Sequence, residues 1–169
     1  MRRSIILTVL LVMASAGASL AAVNDVDKAF VPMAMRMAVG EIQSGQLAER
    51  RTDFEPVKLF AQRMILDHSE ARKALQQITG ADPSFPEPPK HSAGQREDQN
   101  DLQDLTGPAF NRAYVALQIQ RHEAAIPEFE QEAAHGANME LRQYAVKQLA
   151  VLRDHLEMAR KLAAQIANR

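Results

Sequence analysis

The stretch that decides the fold is MILDHSEARKAL, residues Met64 to Leu75. Three apolar residues and one histidine in it are spaced four, three and four residues apart. This spacing places them on one face of a helix: Met64, His68, Ala71 and Leu75. The stretch therefore predicts an amphipathic α-helix that carries a polar imidazole on its apolar side.

A second stretch near the C-terminus has nearly the same pattern. AVLRDHLEMARKL, residues 150–162, repeats the order Asp-His-x-Glu followed by Ala-Arg-Lys. This resemblance suggests two related helical hairpins, although two arginine-rich amphipathic helices can also look alike by chance. Either origin puts a second histidine, His155, on the flank of an apolar stripe.

The first residues read as a targeting segment. Arg2 and Arg3 precede an apolar run from Ile5 to Met13, and Ser19-Leu20-Ala21 suits a signal peptidase site. The run is too short to span a bilayer, so we expect a secretory signal peptide at 1–21 and a single mature domain at 22–169. The expected location is the periplasm or cell envelope.

Charge and cysteine content limit the kinds of partner and of stabilising bond that this chain can use. Without the predicted signal peptide, the chain has 18 basic and 21 acidic residues. This net charge of −3 does not favour nucleic acid or an anionic membrane surface as a partner. The chain has no cysteine, so the exported domain has to be stable without disulfides. We expect no membrane span after cleavage of the leader.

Helix-forming residues dominate the mature chain, and alternating strand patterns are missing. The apolar periodicity and the capping residues predict four helices, at 25–49, 53–79, 108–134 and 139–167. The crossover 80–107 contains GADPSFPEPPKHSAG, whose four prolines exclude a helix there.

Two hairpins joined by a long connection are the topology of a ferritin-like four-helix bundle. The predicted fold class is therefore all-α. Within the third helix, Pro127 is expected to kink or break the helix near Glu123.

Each predicted helix places one polar residue on its apolar face; in chain order these are Glu41, His68, His122 and His155. Their distances from the hairpin turns place them within about 12 Å of one another along the bundle. Three imidazoles and one carboxylate suit Zn²⁺, Fe²⁺, Mn²⁺ or Cu²⁺, so these residues form a candidate metal site. The alternatives are a polar core that fixes helix register, or a set of histidines that makes the fold sensitive to pH.

Other polar residues are candidates to support this site or to compete with it. Tyr114 lies two turns before His122 on the same face, while Asp67 and Asp154 each precede a histidine and are candidate acceptors for an imidazole N–H. Asp67 is alternatively a partner of Arg63. The thioethers of Met33 and Met37 suit Cu(I) but are more typical of a core, and His91 and His135 fall in solvated loops.

The usual di-iron pattern is absent, because Glu-x-x-His requires a glutamate where this chain has Ile65, Ile119 and Leu152. The chain also contains no glycine-rich phosphate loop and no nucleophile elbow. We therefore predict a mononuclear binding protein and not an enzyme. A redox enzyme would need an open coordination position and a pocket that reaches solvent.

Several stretches in order resemble a family of exported bacterial proteins, domain of unknown function 4142, often labelled predicted outer-membrane protein. They are EIQSGQLA (41–48), VKLFAQRMILDHSEARKAL (57–75), LTGPAFNRAYV (105–115), RHEAAI (121–126) and LRDHLEMAR (152–160). This chain departs from the family pattern at Asn111, at 149–152 and at Pro127, none of which is a candidate ligand. The resemblance implies a ferritin-like bundle in the cell envelope, and it implies no established reaction or ligand.

Overall fold

A computed structural model describes residues 23–80, 85 and 102–168. The predicted signal peptide and most of the predicted crossover lie outside these residues.

The described chain forms four long α-helices, and it contains no strand. They are α1 (Asp25–Arg51), α2 (Glu55–Thr79), α3 (Gly107–His135) and α4 (Met139–Ala167). The predicted all-α fold class is confirmed. The bounds predicted from the sequence differ from these by no more than two residues at either end of any helix.

Residues with short polar side chains, or with no side chain, set the ends of the helices. Asn24 begins α1 with a reciprocal capping box, in which its side chain accepts from the Asp27 N–H and Asp27 accepts from the Asn24 N–H. Asn138 caps α4 by accepting from two backbone N–H groups. Gly80 ends α2 with a φ of 50°, a conformation that glycine adopts without a steric penalty.

Contacts between the helix ends give the topology. Asp27 at the start of α1 accepts from the backbone of Asn138 at the start of α4, whereas Thr52 after α1 donates to Asn111 at the start of α3. The helices therefore form two antiparallel hairpins, α1–α2 and α3–α4, with α1 beside α3 and α2 beside α4. The connection from α2 to α3 has to return along the bundle, roughly the 37 Å length of a 25-residue helix.

The core has two apolar clusters with a polar layer between them. The first, which we call the upper cluster, contains Phe30, Val31, Ala34, Leu75, Phe129, Leu141, Tyr144 and Leu152 among others. The lower cluster contains Val57, Phe60, Ala61, Met64, Phe110, Tyr114, Val115, Ala159 and Leu162 among others. The polar layer consists of buried residues that come from all four helices: Glu41, Ser44, His68, Gln118, His122 and His155.

Helix α3 continues through Pro127, so the predicted break near Glu123 does not occur. Both Pro127 and Glu123 are exposed. Pro127 has no N–H to donate to the backbone carbonyl of Glu123. Because that carbonyl lies on the solvent side of the helix, water can hydrogen-bond to it.

Among the described helices, none combines the length and the apolar character that a bilayer crossing requires.

Candidate metal centre

The polar layer brings together the three predicted histidine ligands, each from a different helix. His68 comes from α2, His122 from α3 and His155 from α4, and at most 4% of any of the three is exposed. Their ring centroids lie 5.3–5.7 Å apart. One nitrogen from each ring lies within 4.8 Å of the other two. The sequence spacing predicted this convergence without fixing its distances.

The hydrogen bond of His122 fixes which of its nitrogens carries the proton. Nδ1 lies 2.8 Å from the backbone carbonyl oxygen of Gln118, one turn earlier on α3. A carbonyl oxygen only accepts, so Nδ1 is the donor. In the neutral ring Nε2 then carries a lone pair, and this buried atom has no hydrogen-bond partner in the described part of the chain.

His155 is held in the opposite tautomer by a carboxylate. Its Nε2 lies 2.9 Å from Asp67 Oδ2 on α2, so Nε2–H donates, and in the neutral ring Nδ1 then carries a lone pair. The same carboxylate oxygen accepts from Arg63, which holds Asp67 in place. Nδ1 is buried and has no partner among the described residues. Asp67 thus makes both of the contacts proposed for it from sequence.

Burial favours the neutral form of His68 and of His122. Burial, reinforced by the neighbouring His122 and His155, holds the pKa of His68 well below its usual value. Burial also lowers the pKa of His122, although the nearby charge of Glu41 acts in the other direction. His68 Nε2 is a further buried nitrogen for which the described residues supply no partner. Neutral imidazole is the form that binds transition metals.

The spacing of the three nitrogens is close to that of a metal site. An equilateral triangle with sides of 4.8 Å has its centre about 2.8 Å from each corner. A zinc–nitrogen bond is about 2.0–2.1 Å long. Inward movement of each ring by less than about 1 Å would therefore bring all three nitrogens to bonding distance.

The fourth predicted ligand, Glu41, lies beside this group and is not part of it. Its carboxylate is buried on α1, where Oε2 accepts from Ser44 Oγ at 3.3 Å and Oε1 pairs with Arg121 Nη1 at 3.4 Å. Its charge acts to raise the pKa of His122, against the larger effect of burial, so Glu41 acts electrostatically on that histidine. Whether Glu41 is a metal ligand stays a prediction.

The remaining candidates occupy different environments. Tyr114 is fully buried against Phe60 and Phe110, and its hydroxyl has no partner within the described chain. Asp154 is exposed, and its charge acts on Arg63 and on Lys161. His135 is exposed at the end of α3, whereas His91 lies outside the described residues.

The comparison with protein families identifies the family of this chain. The model of a domain of unknown function, DUF4142, matches residues 12–162. The chain belongs to the DUF4142 family. Neither a curated protein nor a solved structure matches it. The family therefore carries no reaction or ligand across to this chain.

Two polar residues in or beside the polar layer were not predicted from the sequence. Gln118 supplies the carbonyl that orients His122, and its side-chain amide donates to Ser44 Oγ at 3.3 Å. Arg121 pairs with Glu41 across α1 and α3. A signal for Gln118 was present, since Tyr114, Gln118 and His122 share one face of α3. No pattern in the sequence pointed to Arg121, because its partner is 80 residues away.

Hydrogen-bond donors and acceptors are unequal in this layer. The buried atoms without a partner in the described residues include one nitrogen of each of the three imidazoles and the Gln118 side-chain oxygen. In the neutral rings of His122 and His155 the partnerless nitrogen is an acceptor, because the other ring nitrogen holds the proton. A cation at the centre of the rings would satisfy this excess of acceptors.

Proposed function

We propose that this DUF4142 protein is an exported helical bundle that binds one transition-metal ion through His68, His122 and His155. The observation that supports it is the convergence of three buried imidazoles, one nitrogen of each lying within 4.8 Å of the others; each ring also has a buried nitrogen without a partner in the described residues. Its role would be metal handling or protection from stress in the cell envelope. The export part of the proposal rests on the signal-like segment at 1–21.

The groups around the ligands favour metal binding. Protein metal sites usually orient a histidine by a hydrogen bond from its second nitrogen to a carbonyl or a carboxylate. His122 makes such a bond to the Gln118 carbonyl, and His155 makes one to Asp67. Both bonds leave the other ring nitrogen without a hydrogen-bond partner among the described residues.

The donor set limits which ion would bind. Neutral imidazole suits Zn²⁺, Cu²⁺ and Fe²⁺ and is compatible with Mn²⁺, whereas Mg²⁺ and Ca²⁺ prefer oxygen ligands. Three imidazoles leave a fourth position on a tetrahedral ion. Water or the Glu41 carboxylate would fill that position, the latter after giving up its contact with Arg121.

The alternative is a metal-free structural or interaction module of the envelope. The contacts Asp67–His155 and Glu41–Arg121 favour it, because such contacts between helices fix their register without an ion. In that case, the buried nitrogens would each carry a desolvation penalty of about 1–3 kcal/mol unless water reaches them. This cost favours the metal-binding proposal.

The proposal is tested by elemental analysis of untagged mature protein purified from periplasm. We expect one ion per chain in the wild type and loss of that ion in a His68→Ala/His155→Ala double variant. His135→Ala is the matched control, since His135 is exposed and lies outside the cluster; it should retain the ion.

Wild-type protein with no ion, both as purified and after dialysis against Zn²⁺, Mn²⁺, Fe²⁺ and Cu²⁺, would overturn the proposal. The double variant would then be expected only to change stability, as the metal-free module requires. Recovery of the chain from the cytoplasm with residues 1–21 still attached would contradict export and leave the metal proposal standing.

A further inference from the structure

A groove runs between α1 and α3 beside the polar layer. It encloses a cavity of about 270 Å³. Its apolar lining includes Met33, Met37 and Ala124, and its charged lining consists of two carboxylates, Glu41 and Glu128, and two arginines, Arg36 and Arg121. Gly40 and Ala125 also line it, so the groove exists where the two helices carry small residues.

Two residues belong both to this groove and to the surroundings of the histidines. Glu41 and Arg121 line the cavity and also pair with each other at 3.4 Å. The charges of both act on His122, which comes next after Arg121 in the chain. The inner end of the groove therefore lies against the α1–α3 side of the polar layer.

Other approaches to the histidine cluster would disrupt contacts that hold it. Between α2 and α4, an ion would have to break the chain of contacts Arg63–Asp67–His155, in which the Asp67 side chain is 12% exposed. Along the bundle axis the upper and lower clusters cover the layer with apolar side chains, among them Leu152 and Met64, at most 1% exposed. Passage along that axis would require opening of a packed core.

The groove has the size that a hydrated cation needs. Each water occupies roughly 30 Å³ in the liquid, so an ion with six waters takes about 200 Å³, less than the 270 Å³ of the cavity. Glu128 is exposed and Glu41 is buried, which places one carboxylate on the solvent side and one on the histidine side. These two carboxylates balance the two arginines of the lining, so a cation that enters the groove meets no net positive charge.

We propose that this groove is the route by which the metal ion enters and leaves the histidine site. The proposal rests on the metal-binding function above. A route affects the rates of loading and release by the same factor and leaves the equilibrium affinity unchanged, because both directions cross the same barrier.

The test uses zinc as the probe and a bulky side chain to fill the groove. Ala124 is exposed on the groove wall, so Ala124→Trp adds bulk without entering the core. Ala116→Trp is the matched control, because Ala116 is exposed on the same helix and does not line the groove. Loading of apo-protein and transfer of Zn²⁺ to a fluorescent chelator are measured by stopped flow.

We expect Ala124→Trp to slow loading and release by at least tenfold each with the same Kd, while Ala116→Trp keeps wild-type rates. Ala124→Leu, which is smaller, should give an intermediate slowing if the tryptophan variant folds poorly. Wild-type rates in both Ala124 variants would overturn the route while leaving the binding function intact. Wild-type protein that binds no zinc or other ion would overturn both.

Discussion

The contact between His155 and Asp67 is the residue-scale feature on which the metal site most depends. Asp67 Oδ2 lies 2.9 Å from His155 Nε2 and also accepts from Arg63. A carboxylate at this position fixes the tautomer and makes the opposite nitrogen a stronger ligand. In the proposed metal site, Asp67 would therefore affect the metal affinity without being a ligand.

We expect Asp67→Asn to weaken Zn²⁺ binding about 10–100-fold, since an amide oxygen can accept from His155 but carries no charge. Competition with a chelator of known affinity measures the change. Glu130→Gln is the matched control, because it removes an exposed carboxylate paired with an arginine, Arg153. Equal affinity of Asp67→Asn and wild type would exclude a role for His155 Nδ1 as a ligand oriented by Asp67.

At the scale of elements, a buried pair of acidic side chains joins the ends of three helices. Asp27 of α1 accepts from the backbone N–H groups of Ala137 and Asn138, just before α4. Burial acts to raise its pKa, but the hydrogen bonds from these groups and from Asn24 outweigh it, so the pKa is lowered. Glu132 of α3, also fully buried, lies against this carboxylate.

Burial, together with the charge of Asp27, raises the pKa of Glu132 from 4.5 to about 7. Between these pH values the folded chain holds a proton that the unfolded chain has lost. Stability from this group is therefore present below pH 4.5 and is lost as pH rises to 7, by up to about 3 kcal/mol.

We predict that Glu132→Gln, which imitates the protonated acid, stabilises the protein by up to about 3 kcal/mol at pH 8 and hardly at all at pH 4.5. Urea unfolding at both pH values gives the difference from wild type. Glu128→Gln, an exposed change on the same helix, should show no such pH dependence. A stabilisation that is the same at pH 4.5 and pH 8 would contradict the buried acidic pair.

At the scale of the whole molecule, the polar layer divides the core into the upper and lower clusters. Apolar packing on both sides supplies most of the stability, and the layer costs free energy wherever a buried polar atom lacks a partner. An ion that binds only the folded arrangement would turn this cost into a gain.

We expect Zn²⁺ at one hundred times its Kd to stabilise the wild type by about 2.7 kcal/mol, which corresponds to a rise of roughly 5–10 °C in Tm. Thermal unfolding followed by circular dichroism measures it, with Mg²⁺ as the control ion. His68→Ala/His155→Ala should show no zinc-dependent rise. An equal rise in this variant would place zinc elsewhere on the protein.

The sequence determined the elements and the side chains that face inward, because both follow from local rules. Periodicity of three and four residues places His68, His122 and His155 on buried faces, and proline and glycine mark where helices begin and end. The all-α bundle, the DUF4142 resemblance and the three converging histidines were therefore accessible without coordinates.

Only the tertiary structure decided how the polar groups pair. Glu41 contacts Arg121, His155 contacts Asp67, and Asp27 lies beside Glu132, across separations of 80, 88 and 105 residues. Such pairs depend on the rotation and axial shift of packed helices by an ångström or two, which helical periodicity leaves undetermined. The sequence thus names the three histidines and Glu41, while the packing of the two hairpins decides which other polar groups join them and which nitrogens remain without a partner.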